Sequence, residues 1–267
     1  MHGLNNQTMA APSANGDNLS LIEVRNVSRK FGSLTAVLDV RFEIKAGNIC
    51  GLVGSDGAGK TTLLRMIATM IRPTRGSILV DGLNVVAQRS GVKEILGYMP
   101  QRFGLYQDLT VSENFDFFMD IYGIAGVERT RRREYYLGFS NLLPFLDRKA
   151  GDLSGGMKQK LGLACVLVHQ PKVLILDEPT NGVDPVSRQE FWDILTRMKR
   201  DGMTILVSTA YLDEGEKCDQ LILMHNSRVL DVATPHDIKA DFADLEEAMI
   251  QRILATDAAA VEDNFGS

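Results

Sequence analysis

Apolar and polar residues alternate over Leu21-Ile22-Glu23-Val24-Arg25-Asn26-Val27. They alternate again further on, with Leu38, Val40, Phe42 and Ile44 on one side and Asp39, Arg41 and Glu43 on the other. A period of two predicts half-exposed strands, so the chain is expected to begin with an antiparallel β layer. The pattern then changes. Ile49-Cys50-Gly51-Leu52-Val53 and Val173-Leu174-Ile175-Leu176 are continuous apolar runs, the form of strands buried on both faces of a parallel sheet. Further short strands are read over Ser77–Val80, Ile95–Met99, Thr204–Ser208 and Leu221–Met224.

Between these runs the spacing is helical: Leu63, Leu64, Met66 and Ile67, then Val111, Phe115, Phe118, Met119 and Tyr122 at three- and four-residue steps. A third helix runs from Leu153 through Cys165 and Val168 to its stop at Pro171; others cover Pro185 to Arg200 and Leu212 to Cys218. Strands that alternate with helices predict a parallel sheet with helices on its faces. The expected organisation is a polar tail over 1–20, an α/β domain over 21–240 with a helical subdomain inserted at about 102–160, and a C-terminal helix and tail over 241–267.

With 267 residues and 45% hydrophobic content the chain can bury a large core. A net charge of −5 argues against a dedicated nucleic-acid binder, which needs a basic balance or a concentrated basic face. Arg129, Arg131, Arg132 and Arg133 form the dense basic run, read as a solvated helix face with a headgroup or partner contact as the alternative. Cys50, Cys165 and Cys218 lie far apart in apolar or helical contexts, which suggests neither a metal site nor a disulfide framework and points to a reducing cytosol. The first twenty residues lack the apolar core of a signal peptide, and no run of eighteen apolar residues occurs, so the chain is not expected to span a membrane itself.

The strand Ile49–Val53 runs into Gly54-Ser55-Asp56-Gly57-Ala58-Gly59-Lys60-Thr61-Thr62, which has the spacing G-x-x-x-x-G-K-T of a P-loop. Glycines let successive backbone N–H groups point at a phosphate chain, at the N-terminus of a helix whose dipole favours anions. Lys60 is placed to reach the β- and γ-phosphates of a nucleotide, and the Thr61 hydroxyl to ligate Mg²⁺. The second apolar strand closes on Asp177 and Glu178, carboxylates at the strand end where open α/β sheets bind ligands.

With Leu153-Ser154-Gly155-Gly156-Met157-Lys158-Gln159 standing between these motifs in this order, the chain resembles the ATP-binding cassette (ABC) ATPases over about residues 21–239. Its wording is similar to the nucleotide-binding subunits of bacterial exporters of the drug-resistance type, including the first halves of tandem exporter ATPases. The resemblance implies a P-loop NTPase fold, ATP and Mg²⁺ as ligands, and a role for each motif. Phe31 resembles the aromatic that stacks on adenine. Gly54 to Thr62 match the phosphate-binding loop, although Ser55-Asp56 stand where the family more often has Pro-Asn. Gln101 matches the glutamine that touches Mg²⁺ and the attacking water, Asp177 the aspartate that orders Mg²⁺, and Glu178 the general base. Ser154, Gly155 and Gly156 match the signature that contacts ATP held by the opposite subunit, and Val183-Asp184-Pro185 falls where the family's D-loop crosses that interface.

One departure stands out. Where the family reads Ser-Thr-His, this chain has Ser208-Thr209-Ala210, so the switch imidazole is missing. The expectation is slowed turnover at this chain's own site, since losing one preorganised donor typically costs about 10²–10³ in rate. The leading reading is the ATPase subunit of a membrane exporter, peripheral on the cytoplasmic face of the inner (cell) membrane, pairing head to tail with a second cassette, identical or not, and with permease subunits; the aromatic stripe Phe115–Tyr122 is the docking candidate. Two others stay open: a nucleotide-binding regulatory module with little hydrolysis, and a ribosome-acting ABC protein, although those resemble two linked cassettes.

Overall fold

The computed structural model describes residues 20–240 and 242–265, the side chains of 257–265 excepted. The expected N-terminal tail, apart from Ser20, lies outside the described residues, as do Asp241 and the last two residues.

The alternating segments form β1 (Ser20–Phe31) and β2 (Leu34–Lys45), paired antiparallel. With β4 (Arg75–Val80) and β5 (Leu83–Asn84) they make an antiparallel sheet of order β2-β1-β4-β5. The second sheet holds β3 (Ile49–Gly54), β6 (Leu96–Met99), β7 (Val173–Asp177), β8 (Thr204–Thr209), β9 (Gln220–His225) and β10 (Arg228–Ala233) in the order β10-β9-β3-β8-β7-β6. All neighbours in it are parallel except β10, which runs antiparallel to β9 at the edge.

The apolar runs are continuous because each central strand feeds two cores. Ile49, Val53, Leu174, Leu176, Ile205, Val207, Leu221 and Leu223 face one cluster, while Cys50, Leu52, Val173, Ile175, Leu206, Ile222 and Met224 face the other. Side chains two apart share a face, so an apolar residue is needed at every position. The second cluster is closed by α1 (Lys60–Ile67) and by the antiparallel sheet, through residues such as Leu63, Ile67, Ile22 and Val40. The first is closed by helices that include α3 (Val111–Ile121), α4 (Gly126–Phe139), α5 (Gly155–Leu167) and α6 (Pro185–Arg200), with Phe115, Leu161 and Trp192 in it.

Several boundaries differ from the sequence reading. A short α2 (Arg89–Ile95), the edge strand β10 and a five-residue α8 (Pro235–Lys239) are additional elements. The helix read over Leu212 to Cys218 is only α7 (Leu212–Gly215), because the chain turns so that Asp219 can accept the Ile49 amide at 2.8 Å and start β9 beside β3. The expected tail after Leu254 is helical as far as the end of α9 (Leu245–Phe265).

The aromatic stripe divides. Phe115 and Met119 are core, Phe118 packs partly on Phe103, and Tyr122 is exposed. Arg129 pairs with Asp116 and Asp120 of α3 and Arg133 with Asp116, which ties α3 to α4, while Arg132 pairs with Glu128 within α4. The three cysteines are free and buried among the described residues.

Candidate functional site

The C-terminal ends of β3, β8, β7 and β6 lie side by side, and the loops leaving them build one cleft of about 520 Å³. Its lining includes Asp56, Gly59, Lys60, Thr61, Gln101, Glu178 and Asn181. The loop from β3 into α1 has no room for side chains at two glycines: a Cβ on Gly54 would meet the Met224 carbonyl oxygen at 2.2 Å, and one on Gly59 the Ala36 carbonyl at 2.3 Å. Gly59 also holds φ at 104°, a backbone that glycine adopts at little cost.

Lys60 opens α1 and is buried. Its ammonium donates to the carbonyls of Gly54 at 2.7 Å and Ser55 at 3.2 Å, and stands 3.5 Å from Oε1 of Glu178. The Thr61 hydroxyl donates to Oδ1 of Asp177 at 3.0 Å, and the same oxygen accepts from Ser208 at 3.0 Å. Tyr98 donates to the other oxygen, Oδ2, at 3.3 Å. Burial pushes the Tyr98 phenol above its ordinary range, against the opposing effect of Arg65, so it is a donor at neutral pH.

Glu178 sits just beyond β7 with φ at 49°, a left-handed backbone unusual for a non-glycine and a mark of local strain. Its amide is held by the carbonyl and hydroxyl of Ser208. Its Oε2 accepts from Gln101 Nε2 at 3.0 Å and from Asn181 Nδ2 at 3.3 Å.

The structure thus brings together Gly54 to Thr62, Gln101, Asp177 and Glu178. It does not bring the rest of the expected set to the cleft of the same chain. Phe31 is 41% exposed at the end of the β1–β2 hairpin, with the Arg29 guanidinium 4.3 Å above one face of its ring. Ser154 caps α5 by accepting from the Met157 amide, and Gly155 and Gly156 follow in the first turn, away from the cleft lining. Ala210 is exposed and lines a small neighbouring cavity with Glu178, Asn181 and Tyr211.

Four participants were not legible from sequence. Tyr98, Ser208 and Asn181 touch the two acids directly. Glu214, fully buried, accepts the hydroxyls of Thr180 at 2.7 Å and Thr209 at 2.5 Å, joining the loops that leave β7 and β8. Only Asn181 left a trace, its three-residue offset from Glu178 in a tight turn.

Comparison with known proteins places this geometry. The family model described as ABC transporter matches residues 37–181, which takes in the P-loop, Gln101, Ser154–Gly156, both acids and Asn181. The chain belongs to the ABC transporter family. It is 47% identical over 215 residues to the probable multidrug ABC transporter ATP-binding protein YbhF of Escherichia coli (strain K12), an alignment covering 80% of this chain and 37% of that protein. The chain therefore spans little more than a third of that relative's length. A solved ATP-binding subunit of an ABC transporter superposes with a TM-score of 0.79 at 30% identity, covering 88% of this chain and all of that one. A dimeric ATP-binding cassette in a post-hydrolysis state, bound to ADP and Pi, superposes at a TM-score of 0.71 with 25% identity, covering 80% of this chain and 98% of that one. Among the described residues no helix is long and apolar enough to cross a membrane.

Proposed function

We propose that this chain binds and hydrolyses ATP to drive a membrane exporter, closing head to tail on a second cassette. The observation that carries the reading is the convergence of Lys60, Glu178 and Gln101 on one P-loop cleft, Glu178 standing 3.5 Å from Lys60 and 3.0 Å from Gln101. Phosphoryl transfer asks the protein mainly for positioning and charge stabilisation. The P-loop amides and Lys60 take the phosphates, and Glu178 accepts the proton of the attacking water while Gln101 orients that carboxylate. Phe31, whose cross-strand partner Leu34 lines the cleft, would stack on the adenine.

The residues present fit Mg²⁺. Thr61 and Asp177 put two hard oxygen donors 3.0 Å apart at the phosphate end of the loop, and among the described residues there is no cluster of three or more His, Cys, Asp or Glu. That is the donor set of an ion held by one or two carboxylates and substrate phosphates rather than by a protein cage. Thr61, Asp177 and Gln101 would hold it, and when bound it neutralises charge on the transferred phosphoryl group.

Ser154, Gly155 and Gly156 stand away from their own cleft, which suits a contact with nucleotide on the partner. Permease subunits would dock on the aromatic surface of Tyr106, Phe117, Ile121 and Tyr122, where Tyr106 and Phe117 meet edge to face at 4.7 Å. This assigns the chain to the cytoplasmic face of the cell membrane. Ala210 lacks the donor that an imidazole supplies, so turnover at this site is slow.

Light scattering on Glu178→Gln tests the pairing. Mg-ATP is expected to double the mass and ADP to leave it unchanged; a mass indifferent to ATP would contradict head-to-tail closure.

A further inference from the structure

Ala210 presents only a methyl group to the cavity it shares with Glu178, yet the Glu178 carboxylate is not left unguided on that side. Its two oxygens have different partners. Oε1 faces the Lys60 ammonium at 3.5 Å, while Oε2 accepts two carboxamide N–H groups, from Gln101 at 3.0 Å and from Asn181 at 3.3 Å. We infer that Asn181 is the positioning residue that aims Glu178 in place of a side-chain donor at position 210.

Three observations carry this. Asn181 lines, with Glu178, both the main cleft and the small cavity that Ala210 borders, so its carboxamide lies on the side of the acid where the donor at position 210 is missing. Asn181 also belongs to the turn that carries Glu178, its amide donating to the Glu178 carbonyl at 3.3 Å, whereas Gln101 arrives from the loop after β6. The donor from Asn181 therefore travels with the acid, and the donor from Gln101 depends on where another element stands. Finally, the Glu178 backbone is already left-handed, with φ at 49°, and the loop holding it is pinned by Thr180 on the buried Glu214. A carboxylate on so constrained a backbone has few rotamers, and one further donor is enough to select among them.

The inference rests on the hydrolytic reading above, and the test separates the two. In steady-state Mg-ATP hydrolysis by the full chain, Asn181→Ala should lower kcat about tenfold or more, the scale on which misorientation of a reacting group acts, with KM within about twofold. Asp keeps the shape of Asn but sets a second carboxylate against Oε2 of Glu178, so Asn181→Ala carries the kinetic test, and a purely structural role predicts that Asn181→Ala lowers Tm along with kcat. Measured against Ala210→His alone, the deficit caused by Asn181→Ala should shrink severalfold. Parent-like turnover by Asn181→Ala, or an undiminished Asn181→Ala deficit in the Ala210→His background, would overturn the inference. A measurement independent of hydrolysis decides the contact itself: in a ¹⁵N-edited spectrum of the nucleotide-free chain, the Nδ2 proton pair missing from Asn181→Asp should shift on Glu178→Gln. A pair that does not move refutes the contact even if hydrolysis stands. A parent whose turnover ignores Glu178→Gln refutes the hydrolytic reading instead, and the spectrum still decides for or against Asn181.

Discussion

The Glu178 carboxylate stands 3.5 Å from the Lys60 ammonium, both side chains nearly buried, so the acid and a nucleotide's phosphate compete for one cation. Removing the acid's charge releases Lys60. Calorimetric titration with ATP in EDTA should show about fivefold tighter binding for Glu178→Gln, the worth of one modest ion pair. Lys60→Ala should bind roughly 10- to 100-fold more weakly, having lost charge-assisted contacts to phosphate. Weaker binding by Glu178→Gln would mean that the carboxylate organises the loop rather than competing for it.

Gly59→Ala should damage the loop rather than the fold. The added methyl meets the Ala36 carbonyl and the residue must hold φ at 104°, which together cost on the order of 1–3 kcal/mol. Thermal unfolding is expected to fall by a few degrees, while ATP binding by titration is lost. Retained binding would show that the loop can shift without consequence.

Much of the fold could be read from the chain because its physics is local. A buried parallel strand must be apolar at every position, which made β3 and β7 plain, and the period of two in β1 and β2 came through because one side faces core. The edge strand β10, half-exposed throughout, has no such pattern, and α2 and α8 are too short to show a period. The site divides in the same way. Lys60, Asp177 and Glu178 sit in motifs with fixed offsets. Tyr98 meets Asp177 from 79 residues away only because β6 pairs with β7, and Ser208 because β8 lies between β3 and β7.

All three thiols should be slow to react. Burial pushes Cys50, Cys165 and Cys218 well above the ordinary thiol range, and the thiolate is the nucleophile. An aromatic disulfide reagent at pH 8 should modify fewer than one thiol per chain within minutes in the native protein and all three in guanidinium. Rapid native labelling would contradict the packing around β3 and α5.

His169 gives the fold an acid-sensitive contact. Its ring stacks on Tyr122 with centroids 4.4 Å apart and bonds the Leu96 carbonyl, and burial lowers its pKa despite that bond. A depressed folded pKa means the unfolded chain takes up the proton first. The stability is therefore complete above the ordinary histidine value of about 6.5 and is lost as pH falls through the lower folded value. The Tm difference between parent and His169→Gln should shrink steadily between pH 7 and pH 5; a constant difference would place the ring outside the apolar contact.

The most direct test of the hydrolytic reading is steady-state Mg-ATP turnover at high protein concentration by the chain itself, by Ala210→His and by Glu178→Gln. Slow parental turnover, raised roughly a hundredfold by Ala210→His and abolished by Glu178→Gln, is the predicted result. Turnover that survives Glu178→Gln undiminished would contradict it.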